Sequence, residues 1–514
     1  MIAAIHSATL RGIDGCRVTV EVHVSSGLPS YTVVGLPDTS CRESRDRVRA
    51  AVLSSGHPWP AQRITVNLAP TGVPKTGAGL DLAIAIGVLV AGEVLHAEAV
   101  AGLAFIGELG LDGSVRAVVG AVPLVGALGR CTVVVAATNA VDAALVADGQ
   151  VRSVSCLNDV VNALRGTAPW PEPPAACPAA PALAAPADLC EVRGHRMARA
   201  ALEISAAGGH HLLMVGPPGS GKTMLARRLP GLLPPLDRAA ALMATRIHSA
   251  AGEPLPGGGL ITTPPLRAPH HGASAVAMVG GGSSTMRPGE ISLATGGVLF
   301  LDELGEFHPS ALDALRQPLE EGVVRVSRAH RAVTYPAEFL LVGAMNPCPC
   351  GFGGGPGFCR CSDSARARYH RRVSGPLLDR FDLRIDVQRP PADELLRGAP
   401  GEPTATVAAR VSAVRALAVS RGVRANAALA GRALDRYAPL EPALEGVLEG
   451  ALRDGRVSAR GLTRLRTVAR TIADLADLAD VAGTAPGPIR REHVALALVL
   501  RATLPALEGW AHVS

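Results

Sequence analysis

The sequence predicts a multidomain α/β protein with three folded regions and one linker. The chain has 514 residues, more than a single domain of roughly 100 to 200 residues accommodates. Residues 168–187 are rich in proline and alanine and follow neither the helical nor the strand period, which is typical of an extended spacer. Segments with strand or helix periodicity flank this spacer. We therefore expect folded regions at 1–167, 188–390 and 391–514.

Composition and charge exclude several classes of protein. Apolar residues make up 48% of the chain and aromatic residues 3%, which predicts cores of alanine, valine and leucine. The uncharged runs are too short for a membrane-spanning helix of about 20 residues, so we expect no membrane span. The opening residues MIAAIHSATLRGIDG lack the features of a secretory signal, so we expect a cytoplasmic protein. A net charge of +6 permits an acidic partner without requiring one.

The first region has the pattern of an α+β domain. Alternating valines at 18–24 predict a half-buried strand, residues 64–70 predict another, and residues 80–92 are long and apolar enough for a buried helix. Lys75 and Arg116 are either phosphate-binding residues or ordinary solvated charges.

The second and third regions differ in their order of elements. Apolar strands alternate with helical stretches over 188–390, which predicts a mostly parallel sheet with helices on its faces. The third region carries helical spacing alone, for example Val407, Val411, Val414 and Leu417, so we expect it to be all helical.

A nucleotide-binding loop is predicted at 216–223. These residues read GPPGSGKT between an apolar strand and a helix, the context that distinguishes a P-loop from a chance glycine-rich turn. Lys222 is expected to reach the β- and γ-phosphates of ATP, and Thr223 to place its hydroxyl on Mg²⁺. The expected ATP-binding residues are Gly216, Pro217, Pro218, Gly219, Ser220, Gly221, Lys222 and Thr223.

Later polar residues have the chemistry that ATP hydrolysis requires. Asp302 and Glu303 end an apolar strand, and we expect Asp302 to hold Mg²⁺ and Glu303 to act as general base. Asn346 follows another strand, where it either holds the attacking water or is a surface turn residue. Arg380 lies in a charged turn; it either neutralises charge on a neighbouring subunit's nucleotide or forms a surface salt bridge.

Four cysteines lie directly after Asn346 as two C-x-C pairs separated by a glycine-rich loop: Cys348, Cys350, Cys359 and Cys361. Four thiolates suit tetrahedral Zn²⁺, although C-x₂-C is the commoner spacing. A reduced packing cluster and a redox switch are the alternatives. The adjacent His270 and His271 have no third ligand, so we expect no metal there.

A basic stretch follows the cysteines and is a candidate for contacts with a nucleic-acid backbone. Its arginines could equally serve ion pairs and catalysis. They are Arg366, Arg368, Arg371, Arg372, Arg380, Arg384 and Arg389.

Several of these segments together resemble the YifB/ComM family of magnesium-chelatase-like AAA+ ATPases. The resemblance rests on GLPDTSCRESRDRVRAAV, GGHHLLMVGPPGSGKTMLARRLPGLLP, RAPHHGAS, PGEISLATGGVLFLDEL, MNPCPCG, SGPLLDRFDL and LRTVARTIADL, in this order. It implies a Lon-protease-like, ribosomal-S5-like domain over 1–167, a linker over 168–187, an AAA+ core over 188–390 and a helical lid over 391–514.

The resemblance also implies residue roles. Arg380 in LLDRFD matches an arginine finger that acts in trans, and Arg460 in SARGLTRL matches the sensor-2 arginine, although Arg464 and Arg466 lie close to it. The serine of a Lon-type Ser-Lys dyad is replaced by Ala78-Gly79, and the stretch expected to hold the lysine has none. We therefore expect no protease activity.

The function that follows is a homohexameric, Mg²⁺-dependent ATPase that acts on DNA. The better-studied ComM members of the resembled family are similar to hexameric helicases and promote branch migration when incoming DNA is integrated during natural transformation. A protein-remodelling or chelatase-partner ATPase that never binds DNA is the alternative. A non-motor scaffold controlled by nucleotide is a further one.

Overall fold

The computed structural model describes residues 1–172, 187–256, 259–282, 286–328, 331–352, 359–453, 458–478 and 489–501. Most of the spacer predicted at 168–187 lies outside these residues. Within them, no helix combines the length and apolar character needed to cross a bilayer.

The first region is built on a seven-stranded mixed sheet in the order β3-β4-β2-β1-β5-β8-β9. Its strands and those of a short hairpin are β1 (Ile2–Arg11), β2 (Asp14–Ser25), β3 (Ser30–Val34), β4 (Arg63–Ala69), β5 (Leu103–Ile106), β6 (Glu108–Leu109), β7 (Val115–Arg116), β8 (Thr132–Ala136) and β9 (Val151–Val154). Its helices are α1 (Thr39–Ser54), α2 (Asp81–Ala91), α3 (Ala121–Gly126), α4 (Ala140–Ala144) and α5 (Leu157–Arg165). Every residue of α2 is buried, as its apolar sequence predicts.

The central region contains a five-stranded sheet in the order β11-β14-β17-β10-β18, in which every pairing is parallel. Its strands and the two flanking hairpins are β10 (Leu212–Val215), β11 (Leu266–Arg267), β12 (Gly280–Gly281), β13 (Arg287–Pro288), β14 (Val298–Leu301), β15 (Val323–Arg328), β16 (Arg331–Pro336), β17 (Leu340–Met345) and β18 (Leu383–Asp386). Its helices are α6 (Arg196–Gly208), α7 (Lys222–Ala226), α8 (Arg238–Ala251), α9 (Ala275–Val279), α10 (Glu290–Leu293), α11 (Pro309–Asp313), α12 (Arg316–Glu321), α13 (Asp363–His370) and α14 (Gly375–Leu378).

The last region is helical in its described elements, as the sequence predicts. They are α15 (Ala392–Arg397), α16 (Thr404–Ser420), α17 (Gly431–Tyr437), α18 (Pro442–Arg453), α19 (Ala459–Asp477) and α20 (Arg491–Val499). In α16 the buried stripe is Val407, Val411, Val414 and Ala418, whereas the predicted Leu417 is 38% exposed. The buried stripe therefore continues from Val414 to Ala418, four residues later, rather than to Leu417.

The two faces of the central sheet belong to different cores, because successive strand residues point to opposite sides. Leu212 and Met214 of β10 pack with helices of the last region, including α16 and α19. Leu213 and Val215 pack in the opposite core, which also receives Ile13 from the first region. The central sheet therefore joins all three regions.

Candidate nucleotide site

The predicted P-loop follows β10 and depends on close backbone packing. A Cβ atom at Gly216 would lie 2.1 Å from the carbonyl oxygen of Val387, so a side chain does not fit there. Gly219 and Gly221 have φ angles of +72° and +89°, which favour glycine. Helix α7 begins at Lys222, so its N-terminal N–H groups face the loop.

Lys222 connects the P-loop to the next strand of the sheet. Its Nζ donates to the carbonyl oxygens of Gly216 (2.7 Å) and Pro217 (2.9 Å) and to Oδ1 of Asn346 (3.2 Å). Burial lowers the pKa of Lys222, while the nearby carboxylate of Asp302 opposes this effect. The structure thus brings the predicted lysine, amide and carboxylate to one edge of the sheet.

Thr223 and Asp302 offer oxygen ligands at one point. The Thr223 hydroxyl donates to Oδ2 of Asp302 at 2.7 Å, although 79 residues separate them in the sequence. Hard cations such as Mg²⁺ take oxygen ligands and usually bind one or two protein groups together with substrate phosphates. The residues present therefore fit a magnesium ion, which would neutralise phosphate charge.

Glu303 projects from a strained backbone beside Asp302. Its φ angle is +53°, which is uncommon for a residue other than glycine. Its Oε2 lies 2.9 Å from Nδ1 of His271, and its side chain is 54% exposed. A half-exposed carboxylate held by an imidazole is suited to accepting a proton from water.

Arg380 is far from this cluster. The N–H of Asp382, two residues later, donates to the carbonyl oxygen of His211, just before β10 begins. Because β10 and β18 run parallel, Arg380 lies at the amino edge of the sheet and the P-loop at its carboxyl edge. The four residues of β10, Leu212–Val215, span roughly 13 Å, and this length separates the edge near Arg380 from the P-loop. Arg380 is buried and forms an ion pair with Glu320.

The three candidate sensor-2 arginines all lie in α19 but differ in their surroundings. Arg464 contacts Oδ1 of Asp382 at 3.2 Å, and Arg466 contacts Oδ1 of Asp435 at 3.0 Å. Arg460 is exposed, and no partner for its side chain occurs among the described residues. It precedes Arg464 by one helical turn on the same face of α19, so it lies near the amino edge that carries Arg380.

The four predicted cysteines converge. Their sulfur atoms lie within 4.8 Å of one another, and three Sγ pairs are 3.3, 3.6 and 3.7 Å apart. A tetrahedral zinc site with Zn–S bonds of about 2.3 Å requires sulfur atoms about 3.8 Å apart. The donor set therefore fits a tetrahedral metal ion. Residues 353–358, within the connecting loop, lie outside the described part.

The thiol pKa values in this cluster move in opposite directions. The backbone N–H of Phe352 and the thiol of Cys348 lower the pKa of Cys350 to about 6. The N–H of Cys350 favours the Cys361 thiolate, but burial and the neighbouring thiols outweigh it and raise the pKa of Cys361 to about 12. Hydrogen bonds therefore favour a thiolate at Cys350, whereas burial and the neighbouring thiols disfavour one at Cys361.

The cysteine turn supports the P-loop. The N–H of Gly351 donates to the carbonyl oxygen of Cys348 at 2.9 Å, which closes a tight turn. A Cβ atom at Gly351 would lie 2.5 Å from the ring of Pro218. On the loop's other side, Nη2 of Arg389 donates to the carbonyl oxygen of Pro218 at 2.6 Å. Pro218 is therefore held from two sides.

Most arginines of the basic stretch are already engaged. Arg368 and Arg371 are the exposed members that contact no other described residue through their side chains. The engaged ones, with their partners, are Arg366 with Asp363, Arg372 with Glu306, Arg380 with Glu320, Arg384 with Leu378 and Arg389 with Pro218. Five of the seven arginines therefore have intramolecular partners, and two remain available to a ligand.

Two residues near the nucleotide site carried no recognised signal in the sequence. The sequence offers His271 only as a possible metal ligand, whereas in the structure it contacts Glu303. His195 has a φ angle of +52°, and a Cβ atom at Gly221 would lie 3.3 Å from its Nε2. A histidine just before a helix has no distinctive pattern, so only the folded chain reveals its position beside the P-loop.

Comparison with known proteins gives matches along nearly the whole chain. Residues 188–395 match the family described as "Magnesium chelatase, subunit ChlI". Residues 20–139 match "Subunit ChlI of Mg-chelatase", and residues 401–501 match "Magnesium chelatase, subunit ChlI C-terminal".

Three relatives are similar over almost their full length. An uncharacterized protein of Mycobacterium tuberculosis is 45% identical, covering 97% of this chain and 98% of the relative. Uncharacterized protein YifB of Escherichia coli is 42% identical, covering 98% and 97%. Competence protein ComM of Haemophilus influenzae is 42% identical, covering 92% and 94%. The matched regions include the P-loop, Asp302, Glu303 and the cysteine cluster, and the chain belongs to the YifB/ComM family of magnesium-chelatase-like AAA+ ATPases.

Proposed function

We propose that this protein is a Mg²⁺-dependent ATPase that forms a homohexameric ring and acts on DNA. Each chain supplies one face of the nucleotide site: the P-loop, Thr223 and Asp302 for Mg²⁺, Glu303 as general base and Asn346 to hold the attacking water. The opposite face comes from the next chain in the ring.

The position of Arg380 carries this proposal. It lies at the amino edge of the sheet, whereas the P-loop of the same chain lies at the carboxyl edge. In a head-to-tail ring, the amino edge of one chain can face the nucleotide of its neighbour. There Arg380 would exchange Glu320 for developing phosphate charge, and such arginines accelerate phosphoryl transfer roughly 10³- to 10⁵-fold. Arg460 lies on the same side and would act with it in trans as the sensor-2 residue.

We assign Zn²⁺ to the four-cysteine cluster. The sulfur separations support this, as does the lowered pKa of Cys350, since thiolates are the ligands zinc requires. A metal ion there would fix the turn at Gly351 that supports Pro218.

Kinship supports DNA as the substrate, because a relative matched over nearly its whole length is named a competence protein. The basic stretch adds little, because Arg368 and Arg371 are its exposed members without a described partner. A protein-remodelling ATPase is therefore the second candidate, and a direct test has to separate the two.

The test is to measure ATP turnover of the purified protein with and without forked or single-stranded DNA, at two salt concentrations. Stimulation that weakens as salt increases supports a DNA motor, since backbone contacts release counterions. Turnover that is unchanged by every DNA supports the protein-remodelling ATPase. ATP that binds tightly without turnover points to a scaffold.

A further inference from the structure

A cavity of about 860 Å³ lies between the first region and the central region. The first region contributes the end of β1, the start of α1 and the loop at 72–79, while the central region contributes residues 286–287 and 332–333. Small-ligand sites usually measure about 300 to 1,000 Å³ and are common between domains. The cavity is separate from the P-loop, none of whose residues line it.

Three arginines give the cavity a positive wall. Arg11 and Arg42 come from the first region and Arg287 from the central region. All three side chains are exposed, and none forms an ion pair or hydrogen bond with another described residue. Guanidinium groups bind phosphate well because their N–H donors match its oxygen atoms.

The cavity wall also contains two carboxylates, those of Asp38 and Glu108. Asp38 accepts hydrogen bonds from the backbone N–H groups of Cys41 (2.8 Å) and Gly77 (3.0 Å). The Glu108 carboxylate forms no ion pair or hydrogen bond with another described side chain, and Arg47 of α1 is paired with Asp81 instead. Three arginines therefore face two carboxylates, one of them already engaged by backbone N–H groups, and the wall keeps a net positive charge that favours an anionic ligand.

The rest of the cavity wall is apolar enough to contact the base of a nucleotide, while the arginines contact its phosphates. Leu36, Val119 and Met286 offer apolar surface for a ring. Leu36 has a φ angle of +57°, an uncommon strain for leucine that is often found at binding sites. Cβ atoms at Gly72 and Gly77 would meet nothing within 4 Å, so their backbone faces open space.

Lys75, a sequence candidate for phosphate contact, is not part of this wall. Its side chain is fully buried, and its Nζ donates to the carbonyl oxygen of Pro70. Both interpretations of Lys75 from the sequence were wrong, because the amine packs behind the loop rather than in solvent or in the cavity.

We propose that this interdomain cavity binds a small phosphorylated ligand of the nucleotide class, in addition to the ATP held by the P-loop. The arginines take the phosphates and the apolar wall takes the ring. Because two regions line the cavity, the ligand would stabilise their contact and couple the first region to the ATPase core. Ligand binding at this cavity does not require DNA to be the substrate of the ATPase.

The proposal can be tested by titrating fluorescent mant-ATP and mant-ADP with full-length Lys222→Ala protein and measuring fluorescence anisotropy. The substitution disables the P-loop, so remaining saturable binding of one nucleotide per chain is expected at the cavity. Adding Arg42→Ala or Arg287→Ala should weaken it roughly tenfold or more, because each removes a charged hydrogen bond. Arg49→Ala, an exposed position of α1 outside the cavity, should leave it unchanged. Inorganic tripolyphosphate should compete.

Three results would overturn the proposal. The first is that the Lys222→Ala protein binds no nucleotide. The second is that it binds nucleotide equally well whether or not Arg42 or Arg287 is also replaced. The third is that replacing the cavity arginines weakens binding of a short single-stranded oligonucleotide but does not weaken binding of any mononucleotide. Since Arg42 and Arg287 belong to different regions and both are exposed, a folding failure of one variant leaves the other to decide.

Discussion

The imidazole of His271 lies 2.9 Å from the carboxylate of Glu303, measured between Nδ1 and Oε2. His271 follows β11, the edge strand next to β14, which leads to Glu303. A base oriented by a second group is a recurring arrangement at catalytic sites. We therefore propose that His271 is a positioning residue, which holds the half-exposed carboxylate of Glu303 in place through this contact.

We predict that His271→Ala lowers kcat for ATP about tenfold with little change in KM, because Glu303 loses its orientation but the P-loop stays intact. His271→Gln should recover part of the activity, since an amide can still donate to Glu303. Steady-state ATPase assays measure this.

His270→Ala is the matched control, because the His270 ring lies beside that of His271, at 4.0 Å between centroids, without contacting Glu303. Wild-type kcat in the His271→Ala protein would contradict a positioning role.

Lys222 and Glu303 should separate binding from turnover. Lys222→Ala is expected to abolish ATP binding at the P-loop, because Lys222 supplies its positive charge. Glu303→Gln should bind ATP normally yet hydrolyse it roughly 10²- to 10⁴-fold more slowly, the usual contribution of a general base. Two measurements distinguish these variants. Protection of the P-loop from proteolysis by ATP reports binding, and phosphate release reports turnover. Substantial turnover in Glu303→Gln would remove Glu303 from its proposed role.

The sequence predicts local features of this site better than contacts between distant segments. The P-loop, the burial of α2 and the strands ending at Asp302 and Asn346 follow from motif and periodicity. The pairing of His271 with Glu303 does not, because it depends on the order of strands in the sheet. Likewise, the burial of Lys75 depends on a loop folding over its side chain.

The arginines show the same limit. A run of arginines indicates positive charge, but the partners that neutralise it come from elsewhere, as Glu306 and Glu320 do. The hexamer, the DNA substrate, the domain boundaries and the residue roles stay predictions.

We expect about one zinc ion per chain in protein purified without chelators, measured by elemental analysis. Cys350→Ser should lose the metal and raise KM for ATP roughly tenfold, equal to about 1.4 kcal/mol, because the turn that supports Pro218 loosens. Cys16→Ser, outside the cluster, should keep both values. Metal-free wild-type protein with normal KM would exclude a structural zinc.

A buried histidine makes the contact between the central and last regions sensitive to acid. Nε2 of His210 is 2.8 Å from the hydroxyl of Thr471 in α19, and burial lowers the pKa of His210 from 6.5 to about 4, against the opposing charge of Asp382. Because the folded-state pKa is depressed, the neutral ring stabilises the fold above pH 6.5, and this contribution is lost as pH falls toward 4.

At pH 5 the loss attributable to His210 should be about 2 kcal/mol. His210→Gln, which does not titrate, should therefore lose about 2 kcal/mol less than wild type between pH 7 and pH 5 in urea unfolding. His57→Gln serves as the control, because His57 contacts Asn158 in the first region. Identical pH dependence in wild type and His210→Gln would contradict this assignment.

The central claim is that each ATP is hydrolysed between two chains, with the P-loop from one and Arg380 from the other. Mixing inactive Lys222→Ala protein with inactive Arg380→Ala protein tests it most directly. If the chains mix at random, about a quarter of the interfaces combine an intact P-loop with an intact Arg380, so ATPase activity should return. Arg368→Ala, a nearby exposed arginine, should be active alone. A mixture that forms joint rings yet stays inactive, or an Arg380→Ala protein with normal turnover by itself, would contradict the shared site.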